Sequence, residues 1–339
     1  MLARGDVLVS TVRPNLNAVA VVDDGLDGAI ASTGFCVLRP TMEVHGRYLF
    51  HWVRSSRFVA EMVRRATGAS YPAVTAGIVR ESRIPLPPAD TQRRIARVLD
   101  VVDEVRFKRR EAVAHVDSLL RSVFHETFLV SEDRYRWPRM SLDELLERID
   151  SGNSPVCASR PARPGEWGVL KLGAISFGRY NPAENKALLP GTSPRSRDEV
   201  QGGDILVARK NTRELVGASV LVRATAARLL LPDLIFRLVP RADVPLEPAY
   251  LHAVLAQAST RGVMSRLAGG SAGSMPNISK TRLRTLEIEV PPVEMQRRYS
   301  KFVERVDRIR DAMVVHLAGL NGLCASLQSR AFRGELWRE

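Results

Sequence analysis

Most of this 339-residue chain occurs twice within itself, and that duplication constrains its fold more than any other feature. Ser70 to Phe128 aligns without a gap onto Ser274 to Phe332, a shift of 204 positions. In that register Pro72 meets Pro276, Ile84 meets Ile288 and Pro87-Pro88 meets Pro291-Pro292. Gln92-Arg93-Arg94 meets Gln296-Arg297-Arg298, Asp103 meets Asp307 and Leu119 meets Leu323. Upstream, Gly5-Asp6-Val7-Leu8-Val9 matches Gly203-Asp204-Ile205-Leu206-Val207 at a shift of 198, and Tyr48-Leu49 matches Tyr250-Leu251 at a shift of 202. A repeat of this length means one supersecondary unit built twice, and the changing shifts place the length differences in loops, the segments where two matched copies are free to diverge. Trp137 to Gly202 has no counterpart in the first copy, which predicts a fragmentary first unit followed by a whole second one.

Periodicity gives the elements. Gly5 to Val22, Gly168 to Ile175 and Gly203 to Val222 alternate apolar and polar residues between Gly, Pro and Asn, as strands of a loop-rich sheet do. Tyr48 to Arg65 and Tyr250 to Leu267 have helical spacing, so each unit mixes α and β. After each Pro-Pro pair the period becomes a heptad stripe. In the first copy it runs through Ile95, Val98, Val102, Val105, Ala112, Val116, Leu119 and Val123, with Arg109 intruding. In the second it runs through Tyr299, Phe302, Val306, Ile309, Met313, His316, Leu320, Leu323 and Leu327, with His316 as the polar position. Asp90 and Glu294 put a carboxylate in each first turn, where the helix dipole favours it. Each stripe predicts a helix of roughly 35 to 40 residues, about 55 Å long. Two such helices with matched seams most simply pack together; a homodimeric coiled coil is the competing reading, although one chain already holds both halves of the zipper.

The charge points to a polyanion. Lys and Arg number 50 against 37 Asp and Glu, leaving +13 and a sequence pI near 10.3. Basic side chains that meet phosphates release condensed counterions, although a generally Arg-rich proteome would raise the charge as well. Cys36, Cys157 and Cys324 are far apart and follow no metal or disulfide spacing, so neither is expected. No signal-peptide stretch and no run of about 18 apolar residues occurs, and the chain reads as soluble and cytoplasmic.

The segments GDVLVSTVRPNLNAVAVV at 5–22, GDILVARKNTRELVGASVLV at 203–222 and LKLGAISFGRYN at 170–181, with the junctions IPLPPADTQRRIARVLD and IEVPPVEMQRRYSKFVE, resemble the specificity subunits of type I restriction-modification systems. Their order and duplication, over nearly the whole chain, carry the likeness. The resemblance implies an α+β chain with two mixed target recognition domains, the first incomplete, separated by two long helices packed as an antiparallel coiled coil. The boundaries expected are a partial first recognition domain at 1–88, a spacer helix at 89–130, a linker at 131–136, a complete second domain at 137–292 and a second spacer helix at 293–336. Helix packing is assigned to Ile95, Val98, Val102, Val105, Val116, Phe302, Val306, Ile309, Leu320 and Leu323. The resemblance further implies that each domain reads half of an interrupted site in double-stranded DNA. Methyltransferase subunits would bind the helices and nuclease/translocase subunits would join that core. The alternatives are a truncated half-subunit or inactive remnant needing a second chain and, more remotely, a DNA-modifying enzyme.

Arg reads guanine and Asn or Gln reads adenine through paired hydrogen bonds in the major groove. The loop Arg209-Lys210-Asn211-Thr212-Arg213 therefore leads the DNA candidates, through Arg209, Lys210, Asn211 and Arg213. Its first-copy counterpart offers Arg13, Asn15 and Asn17. Lys171 and Arg179 flank a Gly-rich strand pair, within reach of phosphate. The strip Gly269 to Ser274, followed by Asn277 and Lys280, removes side-chain bulk where a DNA backbone would approach; Ser274, Asn277 and Lys280 are its candidates.

Catalytic signatures are missing. Asn181-Pro182-Ala183-Glu184 lacks the second proline and the aromatic of an adenine methyltransferase loop, and GxxxxGK[ST] does not occur. Pro232-Asp233 has no Glu-x-Lys partner, and the position four after His125 is Leu129, which excludes HExxH. The chain is expected to be a non-catalytic subunit with no metal and no cofactor.

Overall fold

The computed structural model describes residues 1–68, 70–269 and 275–336. The chain divides into two compact units, Met1–Val116 with Ile309–Glu339, and Asp117–Arg308.

In the first unit β1 (Val7–Ser10) lies between β2 (Val19–Val21) and β3 (Phe35–Leu38), all antiparallel. Three helices follow: α1 (Gly46–Val53), α2 (Ser56–Arg65) and α3 (Ala76–Arg80). Ser55 and Thr75 cap α2 and α3 by accepting the Phe58 and Ile78 amides, which the first turn leaves without helical partners. Then comes α4 (Ala89–Phe124), whose 36 residues span about 54 Å, ending in a π turn over His125–Leu129.

The second unit adds β4 (Arg139–Ser141), α5 (Leu142–Leu145) and β5 (Leu146–Ser151) ahead of the part it shares with the first. β6 (Gly168–Leu170), β7 (Asn185–Ala187) and β10 (Leu229–Leu230) form a small sheet of their own, ordered β10-β6-β7. β8 (Ile205–Ala208), β9 (Ser219–Leu221) and β11 (Ile235–Pro240) complete a sheet ordered β5-β11-β8-β9. α6 (Pro248–Ala256), α7 (Ala258–Leu267), α8 (Lys280–Arg284), β12 (Glu287–Glu289, paired with β4) and the 40-residue α9 (Val293–Phe332) follow.

The duplication extends to individual hydrogen bonds. Val7 faces Val21 and Leu38 across the first sheet as Ile205 faces Leu221 and Leu238 across the second. Gln92 Oε1 accepts the His45 amide while its Nε2 donates to the carbonyls of Glu43 and Pro87. Gln296 does the same with the Glu247 amide and the carbonyls of Pro245 and Pro291. Tyr48 donates to the Pro85 carbonyl at 2.8 Å, and Tyr250 to that of Glu289 at 2.6 Å. Asp6 and Asp204 each accept the amide three residues earlier and an arginine, Arg39 and Arg237 respectively. The glycines ahead of them, Gly5 and Gly203, both take positive φ, which lets the chain turn into the strand without steric cost.

Each long helix supplies residues to both units. In the first, Ile95, Ala96 and Leu99 of α4 share a core with Ala331 and Phe332 of α9, and Phe332 packs on Tyr48 and Trp52 at 5.3 and 5.1 Å. Arg106 donates to Asn321 at 2.8 Å, so the two helices run antiparallel there. In the second unit Phe124 and Phe128 pack on Tyr299 of α9 and on Tyr250. The fold is therefore the expected α+β class with an antiparallel helix pair.

The seam has a different phase from the heptad stripe. Ile95 and Val306 are buried, while Val98, Val102, Val116, Phe302 and Leu320 are half-buried. Val105, Ile309 and Leu323 are instead exposed, at 42%, 53% and 49%, and His316 is exposed too. Leu99 and Val303, one turn after Ile95 and Tyr299, are buried instead, so the packed face is centred to one side of the stripe along the helices. Polar groups of the long helices also bind the elements beside them in each unit. Asp103 accepts from Arg54 and Arg106 in the first unit, and its repeat mate Asp307 pairs with Arg223 at 2.8 Å in the second.

Candidate nucleic-acid interface

Within the second unit the β8–β9 connection, residues 209–218, lies against the stretch that leads into α8. Ile278 N donates to the Arg209 carbonyl at 2.8 Å, Lys210 bridges Asn277, and Asn277 exchanges both backbone hydrogen bonds with Gly269. Ser279 caps α8 by accepting the Arg282 amide, which fixes Lys280 at the helix start. Two candidate segments that are about 60 residues apart in sequence thus become one surface. The first unit builds the same joint: Val74 N donates to the Thr11 carbonyl at 2.9 Å, Val12 bridges Ala73, and Thr67 exchanges hydrogen bonds with Ala73.

The candidate side chains on this surface behave differently from one another. Arg209 is half-buried; its Nε donates to Asn277 Oδ1 at 3.2 Å and its guanidinium lies 5.1 Å from the Phe236 ring centroid. Lys280 lies over the same ring at 5.8 Å. A cation held over an aromatic face is oriented as well as attracted, so this buried ring sets the direction of two basic groups. Lys210 and Arg213 are exposed.

Asn211 turns inward instead of outward. It is 6% exposed; its Nδ2 donates to Ser176 Oγ and its Oδ1 accepts the Thr212 amide. A buried amide must be satisfied locally, and here that requirement makes Asn211 a brace for the loop rather than a group facing solvent. Lys171 and Arg179 carry carboxylate partners, Glu184 at 2.6 Å and Asp117. In the first unit Asn15 is exposed, whereas Asn17 donates to the Arg54 carbonyl at 3.1 Å. Arg13 holds a left-handed backbone at φ 51°, sparsely populated for a residue with a Cβ; the Pro72 carbonyl accepts its amide, and its guanidinium lies 4.7 Å from the Tyr71 ring centroid. Ser274 lies outside the described residues.

Sequence reasoning missed Phe236, which aims the cations, and Ser176, which holds Asn211. No periodic signal distinguishes either from ordinary core and loop residues. It also missed Tyr71 and Met275, exposed at 69% and 51% beside the two joints. A signal for these existed, since they occupy matching positions of the repeat just ahead of Pro72 and Pro276.

Residues 3–113 match the family model described as the type I restriction modification DNA specificity domain. The specificity subunit of the EcoEI type I restriction enzyme from Escherichia coli is 33% identical over 179 residues, covering 52% of this chain and 30% of that protein. That of EcoKI, from E. coli strain K12, is 25% identical over 331 residues, covering 90% of this chain and 69% of that one. Over 90% of its length the chain is thus similar to a specificity subunit of a type I restriction-modification system, while it spans less than a third of the length of the EcoEI relative. A solved structure from a study of assembly and conformational transition in a type I system superposes on this chain with a TM-score of 0.54 at 27% identity, covering 99% of this chain and 83% of the other. The type I S subunit from M. genitalium shares the fold, with a TM-score of 0.56 at 15% identity over 98% of this chain and 84% of its own. Among the described residues no cluster of His, Cys, Asp and Glu is arranged to hold a metal ion, and no helix is long and apolar enough to cross a membrane.

Proposed function

We propose that this chain is a type I specificity subunit that addresses DNA for partner enzymes, each unit presenting its loop joint to one half of an interrupted site. The observation that carries the reading is the joint built twice, once by Thr11–Val12 with Ala73–Val74 and once by Arg209–Lys210 with Asn277–Ile278. The same backbone frame with different side chains is what reading two different half-sites requires, since phosphate contacts position a protein and base edges specify the sequence. The recognition domains are 1–88 and 137–292 and the spacer helices 89–130 and 293–336, joined by 131–136. Arg209, Lys210, Arg213 and Lys280 face the DNA, with Arg13 and Asn15 in the first half.

Methyltransferase subunits bind the long helices, and nuclease/translocase subunits join that core. Val101, Val105, Phe107, Ile309, Val315 and Leu323 support this, because exposed apolar side chains repeated along a helix pair are the mark of a protein interface. The chain itself supplies no catalytic group and works in the cytoplasm. The test is adenine methylome mapping and binding of the assembled complex. Arg209→Ala is expected to relax one or two positions of the site at a cost of about 1 to 3 kcal/mol, and Lys210→Ala to weaken all sequences alike and lower the salt slope by about 1. If neither variant changes site preference or the salt slope, the joint is not the reading surface.

A further inference from the structure

The geometry points to Tyr71 and Met275 as wedges that enter base steps of duplex DNA, one in each half of the site. The inference rests on the reading of the two joints as DNA-facing surfaces. Both residues occupy the same place in the repeat, immediately ahead of Pro72 and Pro276. A residue before proline is confined to extended backbone. Each proline is held in turn: the Pro72 carbonyl accepts the Arg13 amide at 2.7 Å, and the Pro276 carbonyl accepts the Asn211 amide at 3.4 Å. One position further on, Ala73 exchanges backbone hydrogen bonds with Thr67, and Asn277 with Gly269. The backbone that carries each side chain is thereby anchored twice over on its C-terminal side.

On this fixed footing both side chains stand out into solvent. A single exposed hydrophobic residue is ordinary on a protein surface. Recurrence is not ordinary: among the described residues outside the long helices, no other exposed large apolar residue recurs at a matched position. Leu86, 54% exposed, meets buried Val290, and exposed Val63 meets Ser265. The repeat thus keeps an apolar projection at one place in each unit while changing its shape from a ring to a thioether.

Cations stand beside both projections. The Arg13 guanidinium lies over the Tyr71 ring, and Lys210, Arg213 and Lys280 are exposed on the surface that carries Met275. Duplex DNA answers both features: its phosphates meet the cations, and the stacked faces of its bases take an apolar side chain that enters between them. An aromatic ring and a polarisable thioether each suit such a face. A side chain on a fixed footing also loses little freedom on entering. Unstacking costs least at pyrimidine–purine steps, so a wedge selects such a step without touching any base edge.

The test binds the full chain, alone and assembled with its partner subunits, to a pool of randomised duplexes. The bound fraction is sequenced and treated with permanganate, which oxidises thymines that have lost a stacking neighbour. A pyrimidine–purine step enriched in each half, with raised permanganate reactivity there, is expected. Tyr71→Ser and Met275→Ser should each remove the reactivity and the step preference from one half and weaken binding about tenfold, with the salt slope unchanged. Tyr71→Phe and Met275→Leu should keep both. Serine variants that leave reactivity and step preference as they were, while Lys210→Ala still lowers the salt slope, would overturn the wedge and keep the joint as a DNA surface. If Arg209→Ala, Lys210→Ala and the serine variants all leave DNA binding unchanged, the DNA reading falls and the wedge falls with it. Serine variants that release the partner subunits and leave the DNA contacts intact would also overturn the wedge, giving the pair to a protein interface.

Discussion

The two units share a frame but differ in how completely it is filled. In the second, Phe128 meets Phe124, Trp137, Tyr250 and Tyr299 in one aromatic cluster. In the first, Phe332 at the matching position meets Tyr48 and Trp52. The hydrogen-bonded clamps are the same in both units, while the apolar filling is not. The duplicated sequence thus preserves what sets backbone geometry and lets vary what sets the stability of each copy.

The largest test of this contrast is truncation of the two phenylalanines. Phe128→Ala is expected to cost about 3 to 5 kcal/mol, the range for a large core side chain, and Phe332→Ala to lie at the lower end because fewer rings close around it. Denaturant titration of both variants measures the difference; equal losses would mean that the second aromatic cluster adds nothing. The clamps should behave in the opposite way. Gln92→Leu and Gln296→Leu each remove a buried side-chain amide that serves one backbone amide and two carbonyls, with an expected cost of about 1 to 3 kcal/mol apiece. Unequal costs would show that the repeated geometry is not repeated energetics.

A smaller effect separates the units by pH. His252 has a ring Nε2 that is fully covered and without a partner, and burial lowers its pKa to about 4; the residue at its place in the first unit is Phe50. Below the ordinary imidazole pKa near 6.5 the unfolded chain takes up a proton that the folded ring refuses until about pH 4. Stability therefore falls as pH drops through that window, by about 1.4 kcal/mol per pH unit, and levels off below it. His252→Phe should flatten this slope in urea melts at pH 4.5, 5.5 and 6.5, and a slope that survives would place the responsible proton elsewhere. The gentlest effect concerns the loop joint: Arg13→Gly should relieve the left-handed backbone and offset most of the lost Tyr71 contact, leaving stability within about 1 kcal/mol. A larger loss would show that the stacked guanidinium, rather than the Pro72 hydrogen bond, holds that loop.

Much of this was readable from the chain alone. The shift between copies located the two matching sheets, both helix starts and both loop joints, because Gly-Asp, Pro-Pro and Gln-Arg-Arg are local demands of backbone turns and caps, and these leave a mark wherever they occur. What tertiary structure alone decided is long-range. The seam phase depends on which elements pack against each helix, so Leu99 and Val303 are buried where Val105 and Ile309 are exposed. The inward turn of Asn211 depends on Ser176 being brought beside it from 35 positions away. The equal footing of Tyr71 and Met275 is visible only once the Arg13 and Asn211 amides are seen to bind the Pro72 and Pro276 carbonyls. Sequence determines which groups want partners; only the folded chain determines which partners arrive, because burial and hydrogen bonding are set by residues distant along the chain.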